Sequence, residues 1–330
     1  MTTTQIVRSL QEAVWAGSLP LEIVLSPSDS RVYDQTEPYY VHCPRLSYLP
    51  FLFANLHSFF QAVLIDPTIT PSSAWFSFEG VPLKWHHPVG LLYDLFSGAS
   101  PAATPSQFSS TLTKQSTTAG STSLPWRLTV HYSTFPSDQL VQLDAEGKAL
   151  HDAFINSVKE ADFLRNGSAN AIMKLNIEDS TTLWQSVIDH KLSHFAPIYN
   201  RLVPGTSDLR HIPLRVYLPA PETTSEQQQQ QQQQQPASPD SSSTKKAAAG
   251  HLRVVQSLVQ PHVPFSRELQ TLGSALNGML PALFPSRRRI ARARPVLHGA
   301  VVPLDAVLEE LMRGAVYADG WLSLGIELIV

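Results

Sequence analysis

Two stretches far apart in the chain begin alike. Leu19-Pro20-Leu21-Glu22-Ile23-Val24-Leu25 and Ile212-Pro213-Leu214-Arg215-Val216-Tyr217-Leu218 each set a proline ahead of alternating apolar positions. Proline has no backbone N–H to give to a ladder, so it fits the start or the edge of a strand. A second correspondence follows in the same order. FSFEGVPLKWHHPVGLLYDLF (76–96) reads as a strand, a glycine turn and a short leucine-rich helix, and PVLHGAVVPLDAVLEELM (295–312) repeats those elements. A tryptophan then opens a final strand in each half. Trp126, Leu128, Val130 and Tyr132 alternate with Arg127, Thr129 and His131; Leu322, Leu324, Ile326 and Leu328 alternate with Trp321, Ser323, Gly325 and Glu327.

Each half also holds a longer amphipathic helix, expected over about Tyr48 to Leu64 and Ser266 to Leu280. Leu52, Leu56, Phe59, Phe60 and Val63 share one face of the first; Leu272, Leu276, Met279, Leu280 and Leu283 mark the second. The shared order is strand, strand, helix, strand, short helix, strand. That is the order of a β-grasp domain, in which a mixed sheet buries one face against a helix. The middle of the chain has a helical period instead: Leu150, Ala153, Phe154, Val158, Ala161 and Leu164 form one stripe, and Leu183, Trp184, Val187 and Ile188 another. The expected fold class is therefore α+β, with two ubiquitin-like β-grasp domains flanking a helix-rich domain.

Two low-complexity stretches, 98–123 and the polyglutamine-bearing 219–250, contain too little apolar surface to repay ordering and read as flexible insertions. The expected boundaries are an N-terminal helix (1–18), a first ubiquitin-like domain (19–137) carrying insertion 98–123, a helix-rich domain (138–205), and a second ubiquitin-like domain (206–330) carrying insertion 219–250. A formal net charge of −3 over 330 residues lacks the basic excess of a dedicated nucleic-acid binder. One cysteine, Cys43, excludes an internal disulfide and a cysteine-based zinc cluster. The first residues show no basic-then-apolar leader, and the apolar run SYLPFLFANLHSFFQAVLI is broken by Asn55, His57, Ser58 and Gln61. A soluble protein, at most peripheral to a membrane, is expected.

Several motifs carry a specific resemblance: VWAGSLPLEI, EPYYVHCPRLSYLP, WFSFEGVPLKWHHPVGLLYDLF, LPWRLTVHYSTFP, VKEADFLRNGS, RHIPLRVY and LQTLGSALNGMLP. Together they span nearly the whole chain outside the two insertions, and by them the chain resembles the autophagy protein 5 family. The resemblance implies a noncatalytic scaffold without cofactor, conjugated to the ubiquitin-like autophagy protein 12 and bound to the coiled-coil autophagy protein 16. It implies a ligase-like complex, working with the conjugating enzymes of the system, that promotes lipidation of autophagy protein 8 on phosphatidylethanolamine during autophagosome formation. The implied location is cytoplasmic, with recruitment to the preautophagosomal membrane. An unconjugated ubiquitin-like adaptor is the alternative, and a ligase using Cys43 directly is a third.

The family's acceptor lysine lies in a Lys-Glu-Ala-Asp motif, here Lys159-Glu160-Ala161-Asp162, where it would take the modifier's terminal glycine in an isopeptide bond. If Val158 faces the core, Lys159 is turned about 100° away, at the border of the apolar stripe. Asp162, three residues on, is expected to pair weakly with its ammonium. The resemblance places Arg45 opposite an acidic residue of the coiled-coil partner, whose helix would lie in a groove among the domains. Arg287, Arg288, Arg289, Arg292 and Arg294 form a dense positive run, a candidate contact for an anionic membrane surface or simply a solvated loop. Adjacent His86 and His87 would point to opposite sides of an extended segment and have no further ligands, so no metal site is expected.

Overall fold

The computed structural model describes residues 3–33, 36–96, 124–219, 252–263 and 266–329. Both stretches read as insertions lie outside the described residues, except Pro219, which ends a strand. After α1 (Thr3–Ala16), the first sheet comprises β1 (Ser18–Leu25), β2 (Tyr39–Pro44), β3 (Trp75–Phe78), β4 (Val81–Pro82) and β5 (Trp126–His131), with α2 (Phe53–Phe60) and α3 (Val89–Phe96) between them. Four helices follow: α4 (Lys148–Asn166), α5 (Asn170–Met173), α6 (Ile177–Ile188) and α7 (Leu192–Leu202). The second sheet repeats the first, with β6 (Leu214–Pro219), β7 (Leu252–Gln256), β8 (Ala293–Leu297), β9 (Ala300–Val301) and β10 (Leu322–Leu328), and with α8 (Leu272–Met279) and α9 (Leu308–Gly314).

The spatial orders are β2-β1-β5-β3-β4 and β7-β6-β10-β8-β9, so the internal repeat is a repeat of topology. In each sheet the first and last strands pair in parallel at the centre, β1 with β5 and β6 with β10, and the other pairs are antiparallel. The prolines sit where their missing N–H costs nothing. Pro20 precedes the β1–β5 ladder, which starts at Leu21 opposite Trp126, and Pro213 precedes β6 altogether. The described strands either side of each insertion belong to one sheet: β5 pairs with β3, and β7 with β6.

The first long helix is shorter than its apolar pattern. Residues Leu49–Leu52 form a 3₁₀ turn with Pro50 in it, and α2 covers only eight residues. Leu56 and Phe60 are buried against the first sheet, whereas Phe59, expected on the same face, is exposed and meets Tyr39 edge-on. In the second half, α8 starts at Leu272 rather than near Ser266, because Thr271 caps it by accepting the Ser274 N–H.

The apolar side chains gather into two cores, not three. One lies between the first sheet and α2, built on Leu21, Ile23, Leu56, Trp126, Leu128 and Val130. The other is continuous through the four-helix region and the second sheet, joining Phe154, Val158 and Tyr199 to Val216, Leu308 and Leu324. Each fully buried large apolar side chain contributes roughly 1.5–3 kcal/mol, so helices sharing so many of them with a sheet are expected to unfold with it. The expected in–out alternation of β10 also fails, since Ser323 is 4% exposed and Gly325 is buried too. The back of the second sheet is covered by α3 from the first half: a Cβ on Gly325 would lie 3.5 Å from Leu95 Cδ2.

One carboxylate, held by an ion pair inside the first half, bridges this contact. Arg45, at the end of β2, is 7% exposed; its guanidinium pairs with Asp94 on α3 and donates to Gly90 O at 3.2 Å. The other Asp94 oxygen accepts the Gly299 N–H of the β8–β9 turn at 2.9 Å, so a single carboxylate ties both halves. Gly90 is required here, because a Cβ would sit 2.7 Å from Arg45 Cβ and 2.9 Å from its carbonyl oxygen. Beside it, His298 has its Nε2 2.9 Å from Ala315 O, while Nδ1 is sealed from solvent with no partner. Burial, against a weaker opposing hydrogen bond, pushes its pKa down to about 4, and the Arg45 charge adds to the push.

Two outcomes follow from this junction. Asp94→Ala strands a buried guanidinium and lowers unfolding free energy by about 3–5 kcal/mol in urea titration; a loss below about 1 kcal/mol would show that the pair does not hold the halves. Because His298 is harder to protonate folded than unfolded, its contribution is full above its ordinary pKa of 6.5 and drains away as pH falls toward 4. The stability advantage of the wild type over His298→Asn therefore shrinks by about 2 kcal/mol between neutral and mildly acidic pH; an unchanged difference would refute the assignment. Asparagine suits the site because His298 has φ of 51°.

Candidate functional site: the acceptor helix α4

Helix α4 is closed at both ends by local chemistry. Asp144 accepts the Lys148 and Ala149 N–H groups at 2.8 and 2.7 Å, satisfying two donors of the first turn. At the other end Gly167, at φ 72°, donates to Phe163 O at 2.7 Å and stops the helix. Between them the helix runs 19 residues, about 28 Å.

Its inner face carries the expected Leu150, Phe154, Val158 and Ala161, but it also carries Asp162 and Arg165, both at 0% exposure. Asp162 is four residues after Val158 and so falls on the buried stripe. Its carboxylate accepts the Ile172 N–H at 2.9 Å and Asn166 Nδ2 at 2.5 Å, which pins α5 to α4. The expected Asp162–Lys159 pair is therefore absent: the acid faces inward, away from solvent. Arg165 donates to the Tyr199 hydroxyl at 2.9 Å and lies over that ring, binding α4 to α7.

The adjoining face of α4 meets the second sheet through polar contacts. Ser157 Oγ donates to Asp319 at 2.8 Å, and Trp321 Nε1 donates to Ser157 O at 3.0 Å. Arg215 of β6 stacks 3.7 Å over the Trp321 ring and reaches Glu160 at 2.5 Å. Lys159 emerges between these two faces. It is half-buried, has no hydrogen bond or ion pair among the described residues, and lines a shallow open hollow with Glu160, Phe163, Leu164, Gln256 and Trp321. Phe163, one turn further on, is 56% exposed. An amine held on a rigid helix, free of a counter-ion and open to a large partner, can act as an acceptor, and the carboxylate beside it in the hollow, Glu160, is already engaged by Arg215.

The other candidates separate. Arg45 is buried and paired with Asp94, so a partner's carboxylate would have to compete with Asp94 for it. Cys43 is 2% exposed, and burial pushes its thiol up to about 12, which removes the thiolate that a thioester carrier needs. His86 and His87 lie in a turn, not an extended segment, so their rings do not alternate; the centroids are 4.3 Å apart, with His87 edge-on to Tyr217 at 5.4 Å. The arginine run lies in the loop before β8 and in its first residues. A wide groove opens elsewhere, between α1, α7 and the start of α9, lined by Val7, Leu192, Ala196, Pro197 and Val307 with Glu12 and Glu310 on its sides. No helix among the described residues is long and apolar enough to cross a membrane.

Asp94, Asp319 and the buried role of Arg165 escaped the sequence reading. Asp162 and Arg165 had a signal, two charges at i and i+3 on the apolar stripe; Asp319 had none, since its partner Ser157 is remote in sequence.

Comparison with known proteins matches this arrangement segment by segment. The family profile described as "Autophagy protein ATG5, UblA domain" matches residues 14–132, the alpha-helical bundle region matches 147–205, and the UblB domain matches 211–326. The protein named Autophagy protein 5 of Aspergillus oryzae is 49% identical over 351 aligned positions, covering 100% of both chains, and that of Neosartorya fischeri is 49% identical, covering 95% of this chain and 93% of the relative. The crystal structure of Kluyveromyces marxianus Atg5 superposes with a TM-score of 0.66 at 22% identity, covering 97% of this chain and 99% of that one, a likeness of fold. Two ubiquitin-like sheets, a helix bundle fused to the second of them and this end-to-end similarity place the chain in the autophagy protein 5 family.

Proposed function

We propose that this protein is the scaffold of a ligase-like autophagy complex, conjugated through Lys159 to the ubiquitin-like autophagy protein 12. The observation that carries the reading is the setting of Lys159: an unpaired amine on a helix bolted to both the bundle and the second sheet, beside an open apolar hollow. The amine attacks the modifier's C-terminal thioester, carried by a conjugating enzyme. An isopeptide bond forms, the enzyme's cysteine leaves as thiol, and the base that removes the ammonium proton is supplied by the enzyme. This chain supplies position.

The groove between α1, α7 and α9, with Val7, Leu192, Ala196, Pro197 and Val307 in its lining, offers apolar surface to a helix of the coiled-coil partner, autophagy protein 16. Arg45 contributes to that binding by holding the two halves in register through Asp94 and Gly299. Loaded with both partners, the protein promotes transfer of autophagy protein 8 to phosphatidylethanolamine, working from the cytoplasm at the preautophagosomal membrane. The working units are 1–18, 19–137, 138–205 and 206–330.

Lys159→Arg keeps the charge and the helix but removes the acceptor amine. In the native cells, a gel shift of about the modifier's mass is expected for the wild type and absent for the variant, with unfolding midpoints equal within about 0.5 kcal/mol. A shifted band that persists in Lys159→Arg would reject this lysine, and a wild type that never shifts would favour an unconjugated adaptor.

A further inference from the structure

Between Glu268 and Asp305 the chain has no carboxylate side chain, yet it holds five arginines, Arg287, Arg288, Arg289, Arg292 and Arg294. The structure sorts them. Arg294 is half-buried and reaches Glu327 across the β8–β10 pair at 3.9 Å. Arg287 donates to Asn277 Oδ1 at 3.3 Å and Arg292 to Ala282 O at 3.0 Å, both neutral acceptors. The Arg288 and Arg289 side chains have no hydrogen bond or ion pair among the described residues, although their backbone N–H groups both turn onto Ser286 Oγ, at 3.3 and 3.1 Å. The loop is thus internally ordered while four guanidiniums have no counter-ion within it.

Aliphatic side chains share this end of the sheet. Ile290 is 38% exposed, and from the far end of β10 Leu328 and Ile329 are 46% and 38% exposed. They are beside the arginines in space: Leu328 pairs with Ala293, and Ile329 donates its N–H to Arg292 O at 2.9 Å. A lone exposed aliphatic residue means nothing. Three of them among unpaired guanidiniums give a surface two complementary signals, attraction for anionic headgroups and apolar area for the interface beneath them. A nucleic acid would want aromatic stacking surfaces, but Phe284, the aromatic of this loop, is 1% exposed.

We propose that this end of the second sheet, Arg288, Arg289 and Arg292 with Ile290, Leu328 and Ile329, docks the protein on an anionic phospholipid surface. Guanidinium forks take lipid phosphates and the aliphatic groups enter the headgroup layer. The surface belongs to the second ubiquitin-like unit and involves neither Lys159 nor any conjugate, so it stands or falls separately from the proposed function.

The test is flotation of the full unconjugated chain with phosphatidylcholine vesicles and with phosphatidylcholine–phosphatidylserine vesicles, at low and high salt. Binding is expected only to the anionic vesicles, and salt should weaken it. Arg288→Gln/Arg289→Gln, with both side chains exposed and unpartnered, should keep the wild-type melting curve and weaken affinity by about 30-fold. Ile290→Ser should weaken it without changing the salt dependence. Equal binding to neutral vesicles, an unchanged affinity of the double variant, or capture of polyglutamate with no vesicle binding would each overturn the proposal. Lys159→Arg, run in parallel, should bind vesicles as the wild type does.

Discussion

The contact between α4 and the second sheet determines most of what this molecule can do. Ser157 joins Asp319, its carbonyl receives the Trp321 indole, and Arg215 closes the contact by stacking on that indole and reaching Glu160. On the inner face, Asp162 and Arg165 tie the same helix to α5 and α7. Lys159 is left as the member of this stretch with neither a packing partner in the core nor a counter-ion. A flexible loop could expose a lysine too, but it would pay the entropy of ordering whenever the lysine was used.

Buried charges of this kind are poor sources of net stability, because desolvation offsets most of the Coulomb attraction. They are costly to break, however, and that asymmetry fixes geometry. Asp94, held by Arg45 and accepting from Gly299, does for the two halves what Asp162 and Arg165 do for the bundle. Apolar packing holds each core together, and the few buried polar residues select one arrangement of the pieces.

Much of the fold was legible because its signals are local and repeated. Strand alternation at Leu21–Leu25 and Trp126–Tyr132, and the proline ahead of each half, were enough to place both sheets. The failures are equally physical. Phe59 and the two-faced burial of β10 depend on what packs from elsewhere, which periodicity does not encode. Fusion of the helix bundle with the second sheet into one core depends on contacts between segments remote in sequence. At the site, the KEAD motif pointed to Lys159, but the expected partner Asp162 proved to be structural, because i+3 from the lysine is i+4 from Val158. Arg45 was expected to meet an acidic residue of a partner, whereas the acid that holds it, Asp94, lies on another element of this chain, out of reach of a local pattern.

On these contacts α4 and the second sheet should form one cooperative unit that holds Lys159 in a fixed place. Native-state hydrogen exchange measures this directly. The amides from Phe154 to Arg165 and those of β10 from Leu322 to Ile326 should open with one common free energy and respond alike to low denaturant. If the α4 amides instead exchange through a separate, lower-energy opening while β10 stays protected, the helix is not locked to the sheet and the account of how Lys159 is presented is wrong.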